Sequence, residues 1–231
     1  MTAQDHEPVP SETRERLLRT AFQLFHEQGY HATGVATILR EAGVNAGSMY
    51  HFFSSKDDLL LKVLEFALDY LEPMVMGPAE AAAVDPIERV FVLLNQYREW
   101  IGANQCRMGC PIGNLALEVS DGNAQARELI HRNFENWAGR VEGWLDSAAD
   151  ELPAGTDRRR LARFVLTVME GGLMQARAAG HIGPFDDSVA VLREHLTALR
   201  KQAAAVTRPA AARAGKKINR ATKKKQRRKS R

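Results

Sequence analysis

Residues 29–60 read GYHATGVATILREAGVNAGSMYHFFSSKDDLL. Two short helical stretches lie within them, 35–42 and 46–53, with Gly43, Val44 and Asn45 between. Val35, Ile38 and Leu39 give the first an apolar face, and Met49 with Phe52 or Phe53 anchors the second from behind. Ala42, Gly43 and Val44 are small enough for a close turn, and Gly43 is free to take a positive φ. Two short helices joined by a tight, glycine-containing bend make a helix-turn-helix. In such a unit the second helix enters the major groove while the first crosses the backbone.

Asn45, Ala46, Ser48, Tyr50 and His51 are left facing outward. Asn45 and Ser48 can donate to or accept from bases and phosphates. Tyr50 offers a hydroxyl to a phosphate and a ring edge to a thymine methyl. Gly47 lets the backbone approach closely, and Lys56 opens a helix whose N-terminus also favours a phosphate. Charge alone does not point to DNA, because residues 11–58 hold five Lys and Arg against six acids. The pattern carries the reading.

That pattern resembles the DNA-binding domain of the TetR family of bacterial transcriptional regulators (TetR/AcrR type). The matching positions are Gly29-Tyr30, Thr33, Ala42-Gly43-Val44, Gly47, Tyr50-His51-x-Phe53 and Lys56-x-x-Leu59. Gly34 departs from it, standing where the family commonly has Ser or Thr. The resemblance implies phosphate contacts from Thr33, Thr37 and Lys56, and base or adjoining backbone contacts from Asn45, Ala46, Ser48, Tyr50 and His51. It also implies a two-fold homodimer on a palindromic operator in double-stranded DNA, acting as a repressor more often than as an activator.

Outside this stretch the 231-residue chain stays helical in pattern, with no alternation long enough for a strand, so the expected fold is all-α. Helices are expected at 12–28, 56–72, 86–103, 112–119, 124–151, 158–179 and 188–205, with Pro73 ending the second of these. Four divisions follow: a disordered lead (1–10), the DNA-binding domain (11–71), a helical ligand-binding and dimerisation domain (72–205), and a disordered basic tail (206–231). The tail holds 12 Lys and Arg and no acid, leaving 20 basic residues against 28 acids in the body. Such an arm adds sequence-independent DNA affinity through counterion release.

The longest apolar run in the middle of the chain, Val90 to Leu94, is far too short to span a membrane, and the N-terminus lacks an apolar signal segment. A cytoplasmic protein with no membrane partner is expected. No zinc, phosphate-loop or catalytic-triad signature is present, so neither an enzyme nor a cofactor is expected.

In regulators of this type the middle helices enclose an effector pocket, here for an apolar or aromatic small molecule. Candidate walls are Phe91, Leu94, Tyr97, Trp100, Ile101, Met108, Phe134, Trp137 and Trp144, with Asn114 and Gln175 as polar groups. Asn95, Gln96 and Glu118 are further polar candidates, and 158–179 with 188–205 would build the dimer bundle. The stretch Cys106-Arg-Met-Gly-Cys110-Pro-Ile-Gly-Asn114 resembles an element of one TetR-like subgroup, some of whose members sense electrophiles through a cysteine. A helix beginning at Pro111 would set Cys110 at its positive end, where thiol pKa falls. Two alternatives to a reversible ligand switch stay open: thiol sensing through Cys110, and an architectural DNA-binding protein driven by its tail.

Overall fold

The computed structural model describes residues 10–229, and every regular element among them is helical. In chain order these are α1 (Pro10–Gln28), α2 (Val35–Ala42), α3 (Ala46–Phe52), α4 (Lys56–Ala82), α5 (Pro86–Ala103), α6 (Pro111–Val119), α7 (Ala124–Ser147), a 3₁₀ turn (Ala149–Glu151), α8 (Arg158–Ala179) and α9 (Gly183–Lys229). All but the first nine residues of the expected lead, which lie outside the described residues, belong to α1.

Local chemistry sets most helix ends. Asn45, Ser55, Asp85, Asn123 and Asp157 each accept a backbone N–H of the helix that follows, satisfying first-turn donors that have no partner within the helix. Pro86 and Pro111 occupy first-turn positions, where the missing N–H costs nothing. Gly43 and Gly180 end α2 and α8 in the left-handed conformation.

Two boundaries differ from expectation. α4 does not stop at Pro73 but runs to Ala82, with Pro73 and Pro78 inside it. Each internal proline removes a hydrogen bond and crowds the preceding turn, at about 3 kcal/mol. Packing offsets this: Leu71, Met76 and Ala79 are buried, and Glu80 accepts from Trp144 Nε1 (2.8 Å) and Arg140 Nη2 (2.8 Å) on α7. α9 likewise starts earlier, at Gly183, and carries the backbone of the expected disordered tail as helix to Lys229. That stretch is rich in Ala, Lys and Arg, all strong helix formers.

One continuous core runs from the α1–α3 head into the helical body. Leu17, Phe25, Ile38, Met49 and Phe53 close the head onto the start of α4 through Leu59 and Leu60. Inside the body, buried Asn133 of α7 donates to the Leu64 carbonyl of α4 (3.2 Å) and to its own Leu129 carbonyl (2.9 Å). α9 lies close on α8 because Gly172 has no side chain, since a Cβ there would come within 2.9 Å of the Phe185 ring. No described helix is long and apolar enough to cross a membrane.

Candidate nucleic-acid interface and ligand cavity

α2 and α3 meet across a turn in which Gly43 has φ 61° and ψ 40°, and Val44 N–H donates back to the Leu39 carbonyl at 3.0 Å. Met49 and Phe53 are buried behind α3. Asn45, Ala46, Gly47, Tyr50 and His51 are exposed on its outer side, with Ser48 half-buried among them. Tyr50 is 55% exposed, unusual for a large aromatic that has core within reach. Asn45 has a structural task as well, because its side-chain oxygen caps α3 through Ser48 N–H at 2.8 Å. Thr37 is half-buried on α2.

One expected phosphate contact is corrected. Thr33 is fully buried, and its hydroxyl lies 2.7 Å from the Gly29 carbonyl and 3.2 Å from that of Leu24. It ties the end of α1 to the segment entering α2, where no phosphate reaches. Lys56, half-buried at the start of α4, has a partner within the protein: its ammonium donates to the Tyr30 carbonyl at 2.6 Å and sits 4.2 Å from the Tyr30 ring centre. Burial lowers its pKa, opposed by the charges of Glu118 and Asp57.

Around Tyr30 the head meets the body. Gly29 takes φ 87°, which turns the next two amides outward. Glu118, near the end of α6, accepts both: Tyr30 N–H to Oε2 at 2.8 Å and His31 N–H to Oε1 at 2.6 Å. The Tyr30 hydroxyl donates to Asp57, and burial and that carboxylate together push its pKa up. Glu118 is therefore a joint between domains, and not the pocket group the sequence suggested. A second tie is His26 of α1, whose ring stacks on Trp100 (centroids 5.2 Å apart) with Nε2 2.7 Å from the Gly109 carbonyl. A carbonyl only accepts, so Nε2 carries the proton. Burial lowers the His26 pKa.

Beside this tie lies a mainly apolar cleft of about 530 Å³. Tyr97, Trp100 and Met108 line it as expected, joined by Gln96. Phe22 and His26 of α1, Tyr70, Leu71, Met74, Val75 and Pro78 of α4, and Pro111 complete the wall; none of these was anticipated. A usable signal was the apolar stripe of α4 continuing past Pro73 through Val75 and Met76.

The other expected wall residues lie elsewhere. Ile101, Trp137 and Trp144 are core, outside the lining of the cleft. Phe91 and Leu94 face α9, where the Arg193 guanidinium lies 3.7 Å from the Phe91 ring centre. Gln175 is exposed on α8, away from the cleft. Cys110, Asn114 and Phe134 line a separate chamber of about 280 Å³ between α6, α7 and α8.

Cys110 does sit at the N-terminus of α6, with Sγ accepting from Gly113 N–H at 3.4 Å. The expected activation fails all the same. Burial, then the neighbouring Glu170 carboxyl, hold the thiol well above its usual pKa and outweigh the helix end. Cys106 is also buried and unpaired.

An exposed reading helix on a helix-turn-helix, joined to a helical body with an apolar cleft, defines a DNA-binding regulator architecture. Residues 17–63 match the family described as bacterial regulatory proteins, tetR family, and residues 86–192 match the tetracyclin repressor-like C-terminal domain. An HTH-type transcriptional regulator of Mycobacterium tuberculosis is 30% identical over 190 residues, 80% of this chain and 94% of that protein. The HTH-type transcriptional repressor DhaR of Mycobacterium sp. is 28% identical over 188 residues, covering 79% and 91%. Among solved structures, the regulatory protein TetR from Rhodobacter sphaeroides superposes with a TM-score of 0.72 at 25% identity, covering 79% of this chain and 98% of that one. The chain belongs to the TetR family of transcriptional regulators.

Proposed function

We propose that the protein is a cytoplasmic homodimeric repressor that reads a palindromic operator through α3 and is released from it by an apolar or aromatic small molecule held in the 530 Å³ cleft. The observation that carries this is the make-up of the cleft wall, where Phe22 and His26 of the head stand opposite Tyr97 and Trp100 of the body. A molecule filling the cleft touches both domains, so its affinity depends on the angle between them. Occupancy then favours whichever head spacing fits the ligand, and operator affinity falls by the ligand's differential affinity for the two arrangements.

Dimerisation is supported by the outer face of α8 and α9, where Phe164 and Val191 are exposed. A two-fold pair would set its reading helices one DNA turn apart, roughly 34–36 Å. The printed name of DhaR, a repressor, favours repression over activation.

The test is the affinity of purified protein for the DNA flanking its own gene against scrambled DNA of equal length at physiological salt. A preference of about 10³-fold or more is expected for a specific site. Equal affinity for flanking, scrambled and selected random-library DNA would favour a tail-driven architectural protein, because a basic arm alone does not read bases.

A further inference from the structure

The chamber between α6, α7 and α8 is separate from the cleft and differs from it in chemistry. Glu170 of α8 lines it, and Glu170 Oε1 is buried without a hydrogen-bond partner. Two glycines make room for acceptor oxygens at the same end. A Cβ on Gly113 would stand 2.3 Å from Glu170 Oε2, and one on Gly109 would stand 2.8 Å from Asn114 Oδ1. Asn114 Oδ1 accepts one hydrogen bond, from Arg177 Nη1 at 3.1 Å, and a carbonyl oxygen has capacity for a second. Phe134 and Leu173 supply an apolar wall. A buried carboxyl with an unmet acceptor is costly, and a donor brought by a ligand removes that cost.

We propose that this chamber binds a small organic ammonium ion, whose N–H groups donate to the Glu170 carboxylate while its apolar body lies against Phe134 and Leu173. Acceptors outnumber free donors at this end of the chamber, which selects a donor-rich head. Arg177 is the positive group in the lining. Its guanidinium is engaged by Asn114 Oδ1 at 3.1 Å. The ammonium therefore belongs at the Glu170 end. An aromatic wall adds cation–π attraction there.

The geometry brings a pH dependence with it. Burial raises the Glu170 pKa to about 7, opposed by a hydrogen bond from the Cys110 thiol. The titratable groups facing it are Cys110 at the start of α6 and Tyr97 from α5, both pushed well above their usual values and so uncharged here, with Arg177 on α8 itself. α7 contributes Phe134 to the lining. Glu170 thus passes from mostly protonated at pH 6 to mostly ionised at pH 8, while an alkylammonium keeps its proton throughout.

Calorimetric titration of the full chain with benzylammonium, and with benzyl alcohol as its uncharged counterpart, tests this at pH 6 and pH 8. Benzylammonium is expected to bind about tenfold more tightly at pH 8, following the ionised fraction of a single carboxyl. Benzyl alcohol should bind weakly and equally at both pH values, and Glu170→Gln should abolish the rise. The proposal is overturned if benzylammonium fails to bind, binds no tighter at pH 8, or binds Glu170→Gln as well as the unaltered protein. If Glu170→Gln fails to fold, the pH pair on the unaltered protein decides alone. No DNA enters the experiment, so its failure leaves the operator reading intact.

Discussion

Glu118 and Tyr30 lie 88 residues apart in sequence, yet a carboxylate oxygen of one accepts the backbone N–H of the other at 2.8 Å. Hydrogen bonds to a charged acceptor contribute about 1.5–3 kcal/mol, more than neutral ones. Discounting for partial exposure, Glu118→Gln should destabilise the protein by about 1–2 kcal/mol. Amide exchange at Tyr30 and His31 should speed up while that of α8 stays unchanged. Unaltered exchange at both amides would mean that the carboxylate does not hold the joint.

Gly29 makes the joint possible. Its φ of 87° suits only glycine, and a Cβ would stand 3.0 Å from Glu118 Oε2. Gly29→Ala should therefore cost about 1–3 kcal/mol by chemical denaturation. Because both changes break one contact, the Gly29→Ala, Glu118→Gln double variant should lose less than the sum of the two. Strict additivity would separate the backbone strain from the Glu118 contact.

Tyr50 and Thr33 should respond in opposite ways. Tyr50→Ala removes an exposed ring from the reading helix, so operator affinity should drop about tenfold with stability within about 0.5 kcal/mol of the parent. Thr33→Val removes a buried hydroxyl bonded within the head. It should cost about 1–2 kcal/mol of stability and leave the salt dependence of DNA binding as it was. A steeper loss of DNA affinity in Thr33→Val than in Tyr50→Ala would restore the phosphate role to Thr33.

Glu170 shapes stability against pH. Its folded-state pKa of about 7 lies above its ordinary value of 4.5, so the folded protein holds this proton more tightly than the unfolded chain. Stability from this group is thus full at acid pH, declines as pH rises from about 4.5 to 7, and is level above that. Glu170→Gln removes the decline. Melting measurements should find the variant gaining on the parent between pH 5 and pH 8, by an amount on the order of 2 kcal/mol. A constant difference across that range would place the carboxyl's titration elsewhere.

Removing residues 206–231 takes away 12 positive charges and no negative ones. Binding to operator and to scrambled DNA should weaken alike, and the dependence on salt should flatten. Loss confined to the operator would mean that the tail reads sequence or shape.

How far the sequence reached follows from where each signal is local. The α2–turn–α3 unit was legible because Gly43, the cap at Asn45 and the apolar pair Met49 and Phe53 all act within a few residues. α4 was cut short because Pro73 is a local stop, whereas burial of Met76 and the Glu80 contacts to α7 are tertiary. Tyr97, Trp100 and Met108 were found as apolar residues on the middle helices. Phe22 and His26 were not legible as pocket walls because they reach the cleft only through tertiary packing of α1 on the body. Thr33 came from a family pattern, which fixes residue type but not the direction a side chain takes. Cys110 stands at the helix end foreseen for it, yet burial outweighs the helix end's pull on its proton.

Because α1 supplies both packing for the reading helix and a wall of the cleft, the boundary near residue 71 is not a seam at which function divides. Grafting this head onto a relative's body would carry Phe22 and His26 along and leave a cleft of mixed parentage. If the cleft holds the proposed effector, exchanging heads would then alter which molecules the hybrid answers to, even with every residue of its own sensing domain kept. Support for α3 and part of the cleft wall are written in the same nineteen-residue helix.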